Sequence, residues 1–292
     1  MPASEELWQE IAWDGIALQL PRIWQPTVIH KSYLFFEQDG QPVFAIKWEQ
    51  VRGRFSAERI LNRLQDSLKP LKSVLSPWDV QAELPEISRD YLITGFQCQH
   101  EFETSLGILL FCPHCRRATL FQLYLTDPRN RQILHDILQT FIDHHENFEQ
   151  TWSMYDIRAQ LPVQAELKSH EFLVGRFTLS FALKTKTIDL YRFKPAAAIL
   201  KNQSLQEFGA ALAGEAIRVD SNSDRDAKWE YTASGLDRLA VMFHRKPAWI
   251  WLQVRVIKDK NTILAVKGTG NKTMDRKLME QIAGNFTVTE TS

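Results

Sequence analysis

The stretch that decides the fold is Trp13-Asp14-Gly15-Ile16-Ala17-Leu18-Gln19-Leu20-Pro21-Arg22-Ile23-Trp24, because a similar stretch returns halfway along the chain. At Met154-Tyr155-Asp156-Ile157-Arg158-Ala159-Gln160-Leu161-Pro162, an aromatic residue and an aspartate again lead into a short predicted strand that ends at Gln-Leu-Pro. The spacing is 161 minus 20, or 141 residues, close to half of the 292 residues. An Asn-Phe pair also recurs after a predicted helix, at Asn147-Phe148 and at Asn285-Phe286. The sequence therefore predicts two tandem copies of one domain, residues 1–148 and residues 149–292.

Composition places the chain among ordinary globular proteins. Its 44% hydrophobic and 24% charged residues suffice to bury a core in each half. No window approaches the roughly 18 consecutive apolar residues of a membrane span, and the start carries no basic leader, so we expect a soluble, cytoplasmic protein. The formal net charge is 0 and the sequence has no basic stripe, which argues against a nucleic-acid partner. The three cysteines fall between positions 98 and 115, which is typical of a reducing compartment rather than of a disulfide framework.

Turn and periodicity signals predict the elements of the first half. Asp39-Gly40, between two alternating apolar runs, predicts a hairpin. Ser56 is the predicted N-cap of a helix whose isoleucines and leucines recur at spacings of three and four. A second helix is predicted over residues 128–144, with proline at its first position. The start of the chain predicts a short helix as well, with three apolar residues at helical spacing, Leu7, Trp8 and Ile11.

The second half repeats this order. Strands are predicted from residue 157 onward, followed by a helix over residues 195–213 and by further strands up to residue 267. A final helix is predicted with Thr273 as its N-cap. Its place in the second half corresponds to the helix over residues 128–144 in the first.

Three segments resemble the PsbP-like fold. They are the strand from Asp14 to Pro21 followed by Trp24, the strand Phe44-Ala45-Ile46-Lys47-Trp48, and the ending Ile282-Ala283-Gly284-Asn285-Phe286. Counted twice, the resemblance covers nearly the whole chain. It implies an α/β (α+β) protein made of two tandem α/β/α sandwiches, each with a mainly antiparallel sheet. Proteins of this fold, such as the Ran-binding Mog family and an extrinsic subunit of photosystem II, act as non-catalytic partners of larger assemblies, so the resemblance implies a binding module.

Cys112-Pro113-His114-Cys115 is the conspicuous chemical motif of the sequence. Two cysteines three positions apart can supply two ligands of a tetrahedral zinc site. Cys98 and His100 lie two apart on a predicted strand, so they share a face and could complete a Cys₃His set. A plain hairpin turn with reduced thiols is the other hypothesis, because the turn matched to it in the second half, residues 243–247, has no cysteine. We therefore predict no cofactor, with one alternative, a structural zinc held by Cys98, His100, Cys112 and Cys115.

The same four residues resemble the active site of the DsbA class of thiol oxidoreductases. In that class the motif opens a helix, whose N-terminus lowers the pKa of the first thiol. Here residues 116–125, which follow the motif, are strand-like. Thiol-disulfide chemistry is therefore a third hypothesis for this turn.

Tryptophan is abundant, with nine residues in the chain. Those on or beside predicted strands are expected mainly in the core. Trp249 and Trp251 lie two apart and share a face, which would belong to the core, a cleft or an interface, where aromatic anchors are enriched. The candidate binding residues are Trp13, Trp24, Trp48, Trp249 and Trp251.

These observations favour a non-catalytic binding or accessory module over an enzyme. We expect a protein partner of unknown identity, neither nucleic acid nor membrane, and a monomer or homodimer. The alternative is a thiol or zinc-dependent protein centred on Cys112 and Cys115.

Overall fold

The computed structural model describes residues 8–80, 87, 90–100, 103–124, 129–144, 149–214, 218–222, 225–233 and 247–289. The chain divides into two units, Met1–Glu146 and Asn147–Ser292. Both units combine helices with antiparallel sheets, which confirms the predicted mixed class with mainly antiparallel sheet. Within the described ranges, none of the helices has the length and apolar character needed to cross a membrane.

The first unit consists of a hairpin, a seven-stranded antiparallel sheet and two α-helices among its described residues. The hairpin joins β1 (Trp8–Trp13) to β2 (Ile16–Pro21). The strands of the sheet lie in the order β3-β4-β5-β9-β8-β7-β6. Their bounds are β3 (Gln25–His30), β4 (Tyr33–Gln38), β5 (Gln41–Gln50), β6 (Val74–Trp78), β7 (Leu92–His100), β8 (Glu103–Phe111) and β9 (Arg117–Leu123). The helices are α1 (Ala57–Leu68), which continues into a 3-10 turn at Lys69–Leu71, and α2 (Arg129–Gln139).

The second unit begins with the strands β10 (Glu149–Met154) and β11 (Ile157–Pro162), which pair antiparallel. Its seven-stranded sheet has the order β12-β13-β14-β18-β17-β16-β15. The bounds are β12 (Glu166–Leu173), β13 (Arg176–Leu183), β14 (Lys186–Phe193), β15 (Arg218–Asn222), β16 (Asp226–Thr232), β17 (Trp249–Ile257) and β18 (Thr262–Gly270). The helices are α3 (Ala196–Ile199), α4 (Leu205–Ala213) and α5 (Arg276–Asn285), and the short β19 (Thr287–Val288) pairs with β11.

The two units share one order of elements. When the seven strands of each sheet are numbered in chain order, their spatial order across the sheet is 1-2-3-7-6-5-4. In each unit one helical segment follows the third strand of the sheet and another follows the seventh. The segment after the last helix then meets the first hairpin, since Ile142 bridges Ala17 and Thr287 pairs with Arg158.

This register corrects one of the sequence anchors. The pairs Ala17–Ile142 and Arg158–Thr287 occupy the same place, so Phe141 in the first unit corresponds to Phe286 in the second. The predicted counterpart of Phe286 was Phe148, and Asn147-Phe148 lies outside the described residues. Phe141 is buried against Phe121, with ring centroids 5.0 Å apart, as an aromatic residue at this position should be.

Local signals explain several elements. Asp39 and Gly40 have φ angles of 52° and 75°, the positive values that a tight hairpin turn between β4 and β5 requires. The Ser56 side chain accepts a hydrogen bond from the Arg59 amide, which confirms the predicted N-cap of α1. In α4 a reciprocal capping box between Ser204 and Glu207 begins the helix, so the predicted helix over residues 195–213 is divided into α3 and α4.

Three predicted boundaries differ from the structure. The helix expected at the start of the chain is strand β1 from Trp8 onward, because residue-by-residue pairing with β2 outweighs the helical spacing of three apolar side chains. Helix α2 ends at Gln139, where the Thr140 hydroxyl donates to the Ile137 carbonyl and the chain leaves helical geometry. Helix α5 is capped by Asp275, not by Thr273, since the Asp275 carboxylate accepts from the Lys277 amide at 3.0 Å.

In the second unit, helices cover both faces of the sheet. Leu252 and Val254 on β17 belong to the core cluster under α4. Trp249, of opposite parity on the same strand, lies with Met279 of α5 beside Gly268. Because alternate residues of a strand point to opposite faces, α4 and α5 lie on opposite sides of the sheet.

Candidate metal centre

The Cys-Pro-His-Cys motif forms the turn of the hairpin between β8 and β9, as the strand-like residues around it predict. The amide of Cys112 donates to the Arg117 carbonyl at 2.9 Å, and the amide of Arg116 donates to the Cys112 carbonyl at the same distance. Arg116 closes the turn with a left-handed φ of 59°. The Cys115 amide lies 3.5 Å from Cys112 Sγ, so the turn itself brings a backbone donor to the first sulfur.

The second part of the site comes from the segment that follows helix α2. Ile142 exchanges two backbone hydrogen bonds with Ala17 of β2, each 2.8 Å long, and this bridge directs the chain past the cysteine turn. Asp143 and His144 come next, and their side chains reach the two cysteines. The fold therefore joins two segments that are about 30 residues apart in sequence.

The ligand atoms of Cys112, Cys115, Asp143 and His144 all lie within 4.8 Å of one another. Cys112 Sγ is 3.7 Å from His144 Nδ1, and Cys115 Sγ is 3.3 Å from Asp143 Oδ2. Asp143 Oδ1 and His144 Nδ1 are 2.6 Å apart. Cys112 and Asp143 are buried, whereas 38% of the His144 side chain is exposed. The group is thus a half-enclosed set of two sulfurs, one carboxylate and one imidazole.

Two further side chains complete the surroundings of Asp143. The Tyr91 hydroxyl donates to Asp143 Oδ1 at 3.1 Å. The Arg117 guanidinium donates to the backbone carbonyls of Asp143 and Gly15, and so ties the hairpin β1–β2 to the site. Burial, with the Asp143 charge adding to it, raises the pKa of the Tyr91 phenol. Tyr91 therefore orients the carboxylate itself, and Arg117 holds the backbone of Asp143.

The electrostatic setting of Cys115 is that of a neutral thiol in the absence of a cation. Burial raises its pKa to about 12, and the Asp143 carboxylate acts in the same direction, whereas a hydrogen bond from the Arg117 backbone opposes the rise. A thiolate nucleophile needs the reverse shift. A bound divalent cation would deprotonate the thiol outright.

Cys98 and His100, the other two metal ligands predicted from the sequence, do not join this group. Leu92 at the start of β7 pairs with Phe111, next to Cys112, while Cys98 lies six residues further along β7. At about 3.3 Å per residue this places Cys98 roughly 20 Å from the cysteine turn. His100 Nδ1 instead contacts the Ser73 hydroxyl at 3.1 Å. Asp143 and His144 take the places assigned to these two residues.

Asp143 and His144 were not predicted as ligands, because the helix expected over residues 128–144 would have included both. A helix end at Gln139 would have left five residues free to approach the cysteine turn. No local spacing identifies them, because the contact depends on the bridge between Ile142 and Ala17. An acidic residue followed by histidine just after a helix was the available signal.

The second unit contains the same turn without cysteine. Ile257 pairs with Thr262 across the residues Lys258–Asn261, just as Cys112 pairs with Arg117 across four residues. Asn261 has a left-handed φ of 48°, matching Arg116. The predicted counterpart was residues 243–247, of which 243–246 lie outside the described residues. The strand register corrects this prediction to residues 258–261.

The candidate binding tryptophans are core residues. Trp13, Trp24, Trp48, Trp249 and Trp251 are exposed by 0%, 1%, 3%, 1% and 1%. The Trp13 indole donates to the His30 carbonyl at 3.0 Å, and Trp24 stacks on Phe44 with centroids 5.7 Å apart. Their prediction as binding residues is corrected, because rings enclosed to this degree offer no surface to a partner.

No protein-family model matches the sequence, and no curated protein matches it either. Among solved structures, the chain is similar to immunity protein TplEi of the T6SS from Pseudomonas aeruginosa, complexed with "L" peptide. The TM-score is 0.38 and the sequence identity is 10%, and the match covers 97% of this chain and 99% of that chain. It is also similar to MucB in complex with MucA(peri), with a TM-score of 0.20 and 7% identity over 97% of this chain and 88% of that one. Neither likeness is close enough to assign a fold or a function.

Proposed function

We propose that the protein is a non-catalytic accessory protein that binds another protein, built from two copies of one PsbP-like α/β/α unit. The shared strand order and helix positions support the duplication. Corresponding residues are 158 minus 17, or 141, apart at the first hairpin and 257 minus 112, or 145, apart at the cysteine turn. The spacing between corresponding residues thus increases by a few residues along the chain, as an insertion of that length in the second copy would cause.

The observation that carries the binding proposal is the apolar tip of the hairpin β12–β13. Val174 at the turn is 107% exposed and Leu173 beside it is 48% exposed. Beneath the tip, Phe172 and Phe177 pack edge to face with centroids 5.1 Å apart. Exposed apolar groups on a stiff aromatic base are typical of a protein contact site.

The corresponding tip in the first unit is polar. There the hairpin β3–β4 turns at Lys31 and Ser32. A turn of this kind needs no apolar side chain to fold, so Leu173 and Val174 serve something other than the hairpin itself. A protein partner with a small apolar recess fits their size and exposure.

The setting of the cysteine turn supports the non-catalytic part of the proposal over the thiol-disulfide hypothesis. Cys112 is buried at the end of a strand rather than at a helix N-terminus, and the pKa of Cys115 is raised to about 12. Neither feature gives a reactive thiolate. All three cysteines are free thiols, which fits the cytoplasm as the proposed location.

The test begins with the protein tagged at its native level, cross-linked in its own cells and purified with its partner. Binding is then measured between the two purified components. Val174→Asp should weaken binding at least tenfold, while Ser32→Asp, at the matching tip of the first unit, should leave it unchanged. Because Val174 is fully exposed, Val174→Asp should leave the unfolding midpoint unchanged.

Two results would contradict the proposal. One is equal affinity of the native protein and Val174→Asp for the reconstituted partner. The other is turnover in an insulin-reduction assay that Cys112→Ser abolishes and Cys98→Ser does not, since that would make the cysteine turn a catalytic site.

A further inference from the structure

We propose that Cys112, Cys115, Asp143 and His144 bind one zinc ion, and that this ion fastens the end of the first unit to the β8–β9 turn. The inference goes beyond the binding function, which the hairpin tip of the second unit carries. It adds a structural metal site whose residues come from two separate segments of the chain.

Two of the distances between ligand atoms already suit a tetrahedral ion. With Zn–S bonds of about 2.3 Å and Zn–N or Zn–O bonds of about 2.0–2.2 Å, ligand atoms in a tetrahedron lie about 3.3–3.8 Å apart. The separations of 3.7 Å from Cys112 Sγ to His144 Nδ1 and of 3.3 Å from Cys115 Sγ to Asp143 Oδ2 fall at these values. The 2.6 Å contact between Asp143 Oδ1 and His144 Nδ1 is a hydrogen bond, which the metal would replace by bonds to Oδ2 and to the imidazole.

The donor set selects the metal. Two thiolates are too soft for magnesium or calcium, which take oxygen ligands, whereas sulfur, imidazole and carboxylate together are zinc ligands. Two thiolates, one carboxylate and Zn²⁺ sum to a charge of −1, and the guanidinium of Arg117, bonded to the Asp143 carbonyl, brings the local sum to zero. Charge balance of this kind is needed because Cys112 and Asp143 are buried.

The second unit shows what the ion would replace. There the segment after α5 pairs with β11 at two residues, Thr287 and Val288, and the Thr289 amide then donates to the Asp156 carbonyl at 2.8 Å. Among the described residues of the first unit, the corresponding pairing is the bridge at Ile142. Asp143 and His144 occupy the places of Val288 and Thr289. A metal at the cysteines would therefore hold the segment that strand pairing holds in the second unit.

The first experiment measures zinc in protein expressed with zinc in the medium and purified anaerobically without chelator. One equivalent per chain is expected. After removal of the zinc, titration with Co²⁺ alone should give thiolate-to-cobalt charge-transfer absorption and the visible bands of tetrahedral cobalt, with a sharp end point at one equivalent.

Ligand variants assign the site. Cys112→Ser, Cys115→Ser, Asp143→Asn and His144→Gln should each lose the charge-transfer spectrum or weaken Zn²⁺ binding by more than 100-fold, beyond the roughly 10–100-fold effect of losing an outer hydrogen bond. Tyr91→Phe, which removes only the hydrogen bond to Asp143, should weaken binding by about tenfold. Cys98→Ser is the matched control and should bind as the native protein does.

Hydrogen exchange tests the fastening role in the native chain, so no variant has to fold. Removal of zinc should speed exchange of the Ala17 and Ile142 amides at least tenfold. The corresponding amides of Arg158 and Thr287 in the second unit should not change. Equal exchange at Ile142 with and without zinc would refute the fastening role, even if zinc binds.

Three other results would overturn the site. They are less than 0.1 equivalent of zinc together with no cobalt charge-transfer band, a Cys112–Cys115 disulfide in protein kept under nitrogen, and loss of binding in Cys98→Ser with its circular dichroism unchanged. The outcome is independent of the Val174→Asp test, so the metal site and the binding function can fail separately.

Discussion

Replacing Gly209 by alanine is expected to destabilise the second unit, although alanine is the better helix former. Gly209 lies in the middle of α4 on the buried stripe that it shares with Leu205 and Ala213. A Cβ atom at this position would lie 1.9 Å from the nearest atom of the Trp229 ring and 2.5 Å from two others. Carbon atoms in contact stay about 3.5–4.0 Å apart, so the ring would have to move by well over an ångström.

The expected magnitude is the balance of two effects. Alanine gains about 1 kcal/mol in helix propensity over glycine. Overpacking in a well-filled core costs up to about 3 kcal/mol. Trp229 is 0% exposed and packed against Leu252, so the ring has little room and the larger cost applies. We therefore expect Gly209→Ala to lower the free energy of unfolding by about 2 kcal/mol.

Guanidinium unfolding followed by near-ultraviolet circular dichroism measures this change. Gly284→Ala is the matched control, because Gly284 lies in helix α5 and a Cβ there meets nothing within 4 Å. That variant should be more stable by about 0.5 kcal/mol. In a Trp229→Phe background, which removes the ring atoms that clash, Gly209→Ala should cost much less. A Gly209→Ala protein as stable as the native one would refute the packing argument.

Two further predictions concern buried polar groups. Asp156→Asn removes the carboxylate that receives two hydrogen bonds from buried Arg192, and urea unfolding should show the second unit destabilised by about 3 kcal/mol. The control is Glu171→Gln in the exposed pair with Arg176, which should lower the free energy of unfolding by less than about 1 kcal/mol. Burial raises the pKa of Tyr124 from 10.0 to about 12, so the folded state favours the protonated phenol. The stabilisation from this phenol is fully present below pH 10 and is lost as the pH rises from 10 to 12, because the unfolded chain loses the proton first. Tyr124→Phe should therefore reduce the fall in unfolding free energy over that interval by about 2 kcal/mol, and an unchanged fall would contradict the assignment.

Features fixed by a few neighbouring residues could be predicted from the sequence. Asp39-Gly40 determines a hairpin because few residues tolerate the positive φ angles of its turn. Ser56 begins α1 because its hydroxyl satisfies an otherwise unpaired amide. The cysteine motif was predicted as a turn between strands because its flanking residues have strand character, and β8 and β9 confirm that. In each case the controlling interaction spans no more than a few residues.

Features that depend on distant contacts could not be predicted in this way. Asp143 and His144 reach the cysteine turn only because Ile142 bridges Ala17, 125 residues earlier, counting 142 minus 17. The separation of Cys98 from the turn depends on the register of β7 against β8, which the spacing of cysteines does not encode. Large aromatic residues on strands are found in cores and at interfaces alike, so the tryptophans could be placed only once the sheets were known.

The two units also differ in how they pack an aromatic ring at corresponding places of their sheets. Phe96 pairs with Gly107 in the first sheet, and Trp229 pairs with Leu252 at the corresponding place in the second. In the first, the absence of a side chain at Gly107 lets the Phe96 ring lie across the strand, where an added Cβ would be 2.0 Å from it.

In the second unit Leu252 fills that space, so the Trp229 ring rises toward helix α4, and Gly209 provides the room. Helix α1 of the first unit packs at Ala57 and Ile60 against a cluster of Leu109, Phe111 and Ala118. It has no fully buried residue and covers a cavity of about 310 Å³ whose lining includes Trp48, Leu64 and Leu109. The helix glycine, Gly209, therefore makes room for the Trp229 ring that points from the sheet toward the helix. The strand glycine, Gly107, makes room for the Phe96 ring that lies across the sheet. For this reason Gly209→Ala should disturb the second unit, whereas helix α1 has no glycine and its apolar face, which includes Ile60 and Leu64, borders a space that is already open.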